Sequence, residues 1–362
     1  MEKVESKCVR QKISGLKNII KKNNLIMSEE KKLNAISAPL VTDIYTADPS
    51  AHVFNGKIYI YPSHDIDAGD AFDDLGSHFA MEDYHILSMD TPADSSAVDN
   101  GVALHVKDVK WAERQMWAPD AAEKDGKYYL YFPAKDHDGI FRIGVAVSDS
   151  PTGPFIPQPE AIKNSFSIDP AVLKDEDGNY YMYFGGIWGG QLQRWRTGTF
   201  KAEQPESPFA FLPEKNEPAL CAKVAKLTND LLEFAEAPKD VVILDENGKP
   251  LLQGDTDRRF FEASWMHKYK GKYYFSYSTG DTHFLCYATG DNPYGPFTYG
   301  GRILEPVIGW TSHHSIVEFK GKWYLFYHDS SLSNDITHLR CVKVTELEYD
   351  ENGKIKTIVP YK

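Results

Sequence analysis

The chain has 362 residues and a formal net charge of −12, with 40 Lys and Arg against 52 Asp and Glu. That balance argues against a nucleic-acid or anionic-membrane partner, which needs clustered cations. Aromatic residues make up 13%, and the 21 tyrosines fall largely in short strand-like runs, where their rings suit a pleated, packed surface.

From the N-terminus, the first 34 residues are Lys-rich, and the apolar stretch from Leu16 to Met27 is interrupted by Lys and Asn. This is neither a signal peptide nor a membrane span. Residues 1–34 are expected to be a poorly ordered extension, and 35–362 a single domain in a cytoplasmic protein. Cys8, Cys221, Cys286 and Cys341 lie far apart, without metal or redox spacing, and are expected to be reduced thiols or small buried side chains.

Next comes a phrase that recurs five times: an acidic residue or histidine, an apolar strand, a Gly-Lys or Gly-Asn turn, and an aromatic strand. The copies span 48–61, 120–132, 169–184, 262–277 and 313–327, with turn glycines Gly56, Gly126, Gly178, Gly271 and Gly321. After the first copy, 64–82 is acidic and glycine-bearing, as expected of a surface loop, and strands are expected near 84–89 and 103–106. The segments 141–155 and 284–297, after the second and fourth copies, resemble each other closely and read as a third strand, a Pro-Gly turn and an outer strand. Between the third and fourth copies, Leu220, Val224, Leu227, Leu231, Leu232 and Phe234 recur at helical spacing after Pro218, so a helix is expected over 218–237.

A hairpin repeated across a whole domain is the mark of radial repetition, because no single copy can bury its own face. The expected fold is all-β, a five-bladed β-propeller. The repeat then brings Asp48, Asp120, Asp169, Glu262 and His313 to one end of a common axis. Carboxylates held on different blades can work as a proton-donating and proton-accepting pair, since negative neighbours raise the proton affinity of one of them. Glycoside hydrolysis needs such a pair, and a neutral sugar suits the acidic chain. Asp-Pro pairs such as Asp48-Pro49 and Asp169-Pro170 are also ordinary turn formers, and equivalence within the repeat does not choose among the four carboxylates.

The segments 47–50 (Ala-Asp-Pro-Ser), 117–120 (Trp-Ala-Pro-Asp), 167–171 (Ser-Ile-Asp-Pro-Ala), 261–264 (Phe-Glu-Ala-Ser) and 313–318 (His-His-Ser-Ile-Val-Glu) together resemble family 43 of the glycoside hydrolases, over roughly 41–349. The resemblance implies a five-bladed propeller that inverts configuration at arabinose- and xylose-containing glycans. It implies Asp48 as general base, Glu262 as general acid and Asp169 as the residue that tunes and orients the acid. Asp120 takes the acidic position of the family's Trp-Ala-Pro-Glu pattern, structural or outer. Arg340 resembles the family's substrate-binding arginine, and Trp117, Trp188 and Trp265 are candidate sugar platforms. His313 is the candidate to reach the central channel and hold a calcium ion there, mostly through water.

The function expected on this basis is exo-acting: a β-xylosidase that also releases α-L-arabinofuranose from xylo- or arabino-oligosaccharides. The long 64–82 loop is better suited to close a pocket than to leave a groove, which disfavours an arabinan-cleaving endo-enzyme. A non-catalytic carbohydrate-binding propeller predicts a replaced acid or base, and a protein-interaction propeller has no need of three acids at channel-facing strand starts.

Overall fold

The computed structural model describes residues 36–202 and 207–361, so the extension expected over 1–34 lies outside the described residues. Tight turns set the architecture. In the first, second, fourth and fifth repeats both tip residues have positive φ: Asn55 and Gly56 (52° and 78°), Asp125 and Gly126 (52° and 77°), Lys270 and Gly271 (48° and 76°), Lys320 and Gly321 (50° and 80°). Two left-handed residues in succession make a hairpin turn whose twist matches that of the flanking strands, and the second is glycine because it has no Cβ to clash. The third repeat turns more widely, with Asp175 N–H donating to Asn179 O and Gly178 at 81°.

These hairpins seed five sheets, one per blade. Blade one is β1 (Tyr45–Phe54), β2 (Lys57–Asp65), β3 (Asp83–Met89) and β4 (Val98–His105), paired in that order. In blade two, β5 (Ala112–Arg114) and β6 (Asp120–Lys124) both pair with β7 (Lys127–Asp136), followed by β8 (Phe141–Ser148) and β9 (Ile156–Pro157). Blade three is β10 (Ala171–Lys174), β11 (Tyr180–Phe184), β12 (Lys223–Lys226) and β13 (Lys239–Asp240). In blade four, β14 (Ile243–Leu244) adds in parallel to the outer side of β15 (Glu262–Tyr269), β16 (Lys272–Ser278), β17 (Leu285–Gly290) and β18 (Phe297–Leu304). Blade five is β19 (His314–Phe319), β20 (Lys322–Asp329) and β21 (Cys341–Leu347). The ring closes where the start of β1 and the segment before it run beside the start of β21: Leu40 N–H donates to Val342 O and Thr46 N–H to Arg340 O, both at 2.9 Å.

The strands expected near 84–89 and 103–106 are β3 and the end of β4. The helix expected over 218–237 does not form. β12 occupies its centre, and a turn follows in which Thr228 Oγ1 donates to Asp230 Oδ1 at 2.6 Å and accepts from Glu233 N–H. Thr and Asp side chains that bond locally compete with a helical ladder. The helix-like spacing of Val224, Leu227 and Leu231 arises because a strand and a turn dip in succession into inter-blade cores.

Asp120 pins three blades together. Fully buried on blade two, its carboxylate accepts from Ser50 Oγ, hydrogen-bonds His52 Nε2 at 2.6 Å, and accepts Val172 N–H at 2.5 Å. Asp120→Ala leaves Val172 N–H and Ser50 Oγ without their buried acceptor, so a loss of about 3 kcal/mol of stability is expected. Chemical denaturation of the variant checks this; an unchanged midpoint would show that the bridge carries no net stability.

Candidate active site

The site is assembled from backbone held in uncommon conformations. Asp48 (φ 49°) lies where the β1–β2 register slips between Ala47 and Ser50. Asp169 (φ 56°) stands two residues ahead of β10. Glu262 opens β15, followed by Ala263 at φ 63° and a register slip before Trp265. Such bulges re-aim side chains, here into one space at the end of the propeller axis, and left-handed non-glycine residues cluster at functional sites. Gly186 must lack a side chain, because a Cβ there would meet Ile168 Cδ1 at 2.6 Å and Glu262 Cβ at 3.2 Å.

That space is a cavity of about 560 Å³ lined by Asp48, Asp169, Glu262, His313 and Arg340, with Trp117, Trp188 and Trp310 among its walls. The 66–82 loop, joining β2 to β3, closes one flank with Phe72, His78, Phe79 and Met81, as expected of a segment that makes a pocket from a groove.

The Asp48 carboxylate is gripped on both oxygens. Oδ1 accepts from Arg340 Nη1 at 2.9 Å and Oδ2 from Ser63 Oγ at 2.7 Å. Its backbone N–H donates to His328 Nδ1 at 2.9 Å, so the His328 proton sits on Nε2, which reaches Thr311 Oγ1 at 2.9 Å. Arg340 is buried, forked onto Asp65 through Nε and Nη2 at 2.8 and 2.7 Å, with its guanidinium over the Phe79 ring at 4.8 Å. Burial by itself pushes the Asp48 carboxyl up; the Arg340 guanidinium, His328, His313 and the Ser63 hydroxyl outweigh it and hold it at about 2. Burial also favours the uncharged forms of His328 and His313, leaving Arg340 as the permanent positive charge.

Glu262 has the opposite environment. Enclosure raises its carboxyl first and the negative Asp48 raises it further, against some relief from Arg340, to about 8. Asp169 is likewise pushed well up by burial and by Glu262 and Asp48. Its Oδ2 accepts Ala263 N–H at 2.8 Å and lies 3.7 Å from His313 Nε2. Asp169 thereby holds the backbone of the residue next to Glu262. The arrangement presents an ionised carboxylate and a protonated one to a single cavity, the pair that acid–base chemistry on an acetal needs.

Of the residues singled out in the sequence, Asp48, Asp169, Glu262, His313, Arg340, Trp117 and Trp188 line the cavity. His313 faces the cavity, while His314 is buried with Nε2 on Ser276 Oγ at 2.7 Å. Trp265 lies elsewhere: its ring is buried in the core between blades four and five, with Nε1 donating to Ile316 O at 3.1 Å, so it is packing and no platform. Trp117 is nearly buried and donates its Nε1–H to Phe79 O at 2.8 Å, anchoring the loop as well as walling the cavity. The residues that sequence reasoning missed are Ser63, Asp65, Thr311 and His328. A signal existed for three of them: Ser63, Asp65 and His328 lie near the ends of aromatic strands, on the faces that carry Tyr61 and Phe326 one step earlier.

The sequence model of the glycosyl hydrolases family 43 matches residues 98–355, more than half of the chain. A xylosidase/arabinosidase of Bacteroides ovatus is 63% identical over 319 residues, covering 88% of this chain and 96% of the relative. Xylosidase/arabinosidase 43A of Humicola insolens is 62% identical over 329 residues, covering 89% and 99%. Among solved structures, the family 43 β-xylosidase/α-arabinofuranosidase CoXyl43 from a compost microbial metagenome, in complex with xylotriose in a calcium-free form, superposes with a TM-score of 0.88 at 66% identity, covering 91% of this chain and 99% of that one. The chain belongs to glycosyl hydrolases family 43 and is a glycoside hydrolase with the family's five-bladed propeller.

Arg340→Met removes the charge that keeps Asp48 ionised, so the carboxyl rises and the acidic limb of kcat/KM moves to higher pH. A pH–rate profile of the variant checks this, and an unmoved limb would separate Arg340 from the ionisation of Asp48.

Proposed function

We propose that this member of family 43 is an inverting, exo-acting β-xylosidase with α-L-arabinofuranosidase activity, and that residues 35–362 form its single catalytic domain. The carrying observation is the opposed protonation of Asp48, held at about 2, and Glu262, raised to about 8, around one cavity. The names of the relatives and the xylotriose held by CoXyl43 support xylo- and arabino-oligosaccharides as substrates. The flank closed by the 66–82 loop supports cleavage from a chain end.

In this mechanism Asp48 takes a proton from water as the water oxygen bonds to the anomeric carbon. Glu262 gives its proton to the glycosidic oxygen as the bond to the leaving sugar breaks. Asp169 positions Glu262 through Ala263 N–H, and the negative charge of Asp48 disfavours early loss of the acid's proton. Trp117 and Trp188 supply apolar surface for the sugar, and Arg340, beside Asp48, orients it.

His313 Nε2 is buried without a hydrogen-bond partner, which suits a water or a hydrated cation. A calcium ion would be held there by this imidazole and mostly by water, since calcium favours six to eight oxygen ligands. It would supply positive charge beside the acids. Among the described residues no helix is long and apolar enough to cross a membrane. Cys221, Cys286 and Cys341 are free thiols, which supports a reducing, cytoplasmic setting.

Proton NMR of a xylo-oligosaccharide digest should show the α-anomer of xylose first; first appearance of the β-anomer would falsify the assignment of Asp48 as base. On unactivated substrate Asp48→Asn, Asp169→Asn and Glu262→Gln should each lose at least about 10²-fold in kcat. Activity of the wild type should fall as pH rises through about 8, where Glu262 loses its proton, and this limb should be absent from Glu262→Gln assayed on an aryl glycoside. An alkaline limb that survives in Glu262→Gln assigns the acid elsewhere.

A further inference from the structure

At the neck of the 66–82 loop, on blade one, lies a second cluster of titratable side chains, none of which lines the catalytic cavity. His64 is the penultimate residue of β2 and Asp83 the first of β3, and His64 Nδ1 bonds Asp83 Oδ1 at 2.6 Å. His85, two residues further along β3 and so on the same face as Asp83, brings its ring to within 4.5 Å of the His64 ring, centroid to centroid. One donor atom from each of His64, Asp83 and His85 lies within 4.8 Å of the others. The group is sheltered: the side chains of His64, Asp83 and His85 are 17%, 17% and 13% exposed.

A further feature distinguishes this cluster from a chance ion pair. His85 Nδ1 is gripped by both oxygens of Asp99 on β4, at 3.0 and 2.9 Å. A carboxylate on one ring nitrogen fixes the tautomer and aims the other as a ligand, the arrangement found behind metal-binding histidines. Asp99 occupies His85 Nδ1 and leaves its Nε2 without a hydrogen-bond partner among the described residues, while His64 Nδ1 and Asp83 Oδ1 face each other across one shared proton. Two imidazoles and one carboxylate suit a divalent first-row transition ion, with water completing the shell, rather than calcium.

We propose that His64, Asp83 and His85 form a binding site for a divalent transition metal such as Zn²⁺, with Asp99 orienting His85, and that the bound ion clamps the two ends of the loop that walls the catalytic cavity. Binding displaces the proton shared by His64 and Asp83. It joins the end of β2 to the start of β3 by coordination where a single hydrogen bond now links them. This inference rests on blade one alone and stands whether or not the substrate assignment does.

The test is titration of the chelator-stripped full chain with Zn²⁺ by calorimetry and with Co²⁺ by visible absorption. One ion per chain is expected in the wild type, with a rise in melting temperature and slower proteolysis within 66–82. His64→Gln and His85→Gln should lose binding and both effects, while Asp99→Asn should bind about 10- to 100-fold more weakly. Metal-free melting temperatures of the variants, matched to the metal-free wild type, exclude misfolding as the cause, and Asp99→Asn provides the readout if a histidine variant does not fold. No binding by the wild type overturns the site, as does binding that persists unchanged in both histidine variants. Binding without slower proteolysis within 66–82 overturns the clamp.

Discussion

Three carboxylates enclosed around one cavity cannot all be ionised, and one buried guanidinium decides which of them is. Unit charges about 4 Å apart interact by roughly 4 kcal/mol where the effective dielectric is near 20, enough to move a carboxyl by several pH units. Arg340 Nη1 touches Asp48 but is bonded to neither Asp169 nor Glu262. Asp48 therefore stays charged, and its charge in turn presses protons onto the other two. The ionised and the protonated carboxylate are not separate inventions of two blades. They are two ends of one electrostatic imbalance, set by enclosure and by the placing of the guanidinium beside Asp48 alone.

Holding that imbalance requires rigidity, which explains the strain. Asp48 and Asp169 sit in left-handed backbone, where an L-residue with a Cβ is disfavoured, and Ala263 does the same beside Glu262. Each distortion is fastened across the propeller: Asp48 N–H to His328 from blade five, and Ala263 N–H to Asp169 between blades three and four. Asp65 completes the restraint by holding the guanidinium fork in plane, so Arg340 is fixed in orientation as well as in charge. The propeller's contribution to the chemistry is a set of cross-blade bonds that no single hairpin could maintain.

The repeat made most of this legible in the sequence. Gly-closed turns and aromatic strands located the hairpins, and their shared starts located Asp48, Asp169, Glu262 and His313. Two kinds of feature escaped. Val224, Leu227 and Leu231 carry helical spacing that a strand and a turn also produce, and only the pairing of β12 with β11 distinguishes the cases. Trp265 stands near Glu262 in sequence, but alternation along β15 sends it into the core, a matter of register that the bulge after Glu262 resets. Asp120 shows the limit of equivalence: it shares the repeat position, yet Ser50, His52 and Val172 saturate its carboxylate and turn it into a brace.

Alternation also accounts for how β2 serves two purposes. Ser63 and Asp65 share one face and reach inward to Asp48 and Arg340, whereas His64 between them belongs to the opposite face and meets Asp83. The strand end that fixes Asp48 is thus also the anchor of the loop walling the cavity. A restraint placed on His64 acts on the root of that wall without touching the groups that set the charge of Asp48. Trp117 and Arg340 both hold Phe79, just before that root, so the returning arm of the loop is also tied to blades two and five. Its position is therefore set by the same cross-blade fastening as the carboxylates, and the shape of the pocket and the protonation of its acids follow from one scaffold.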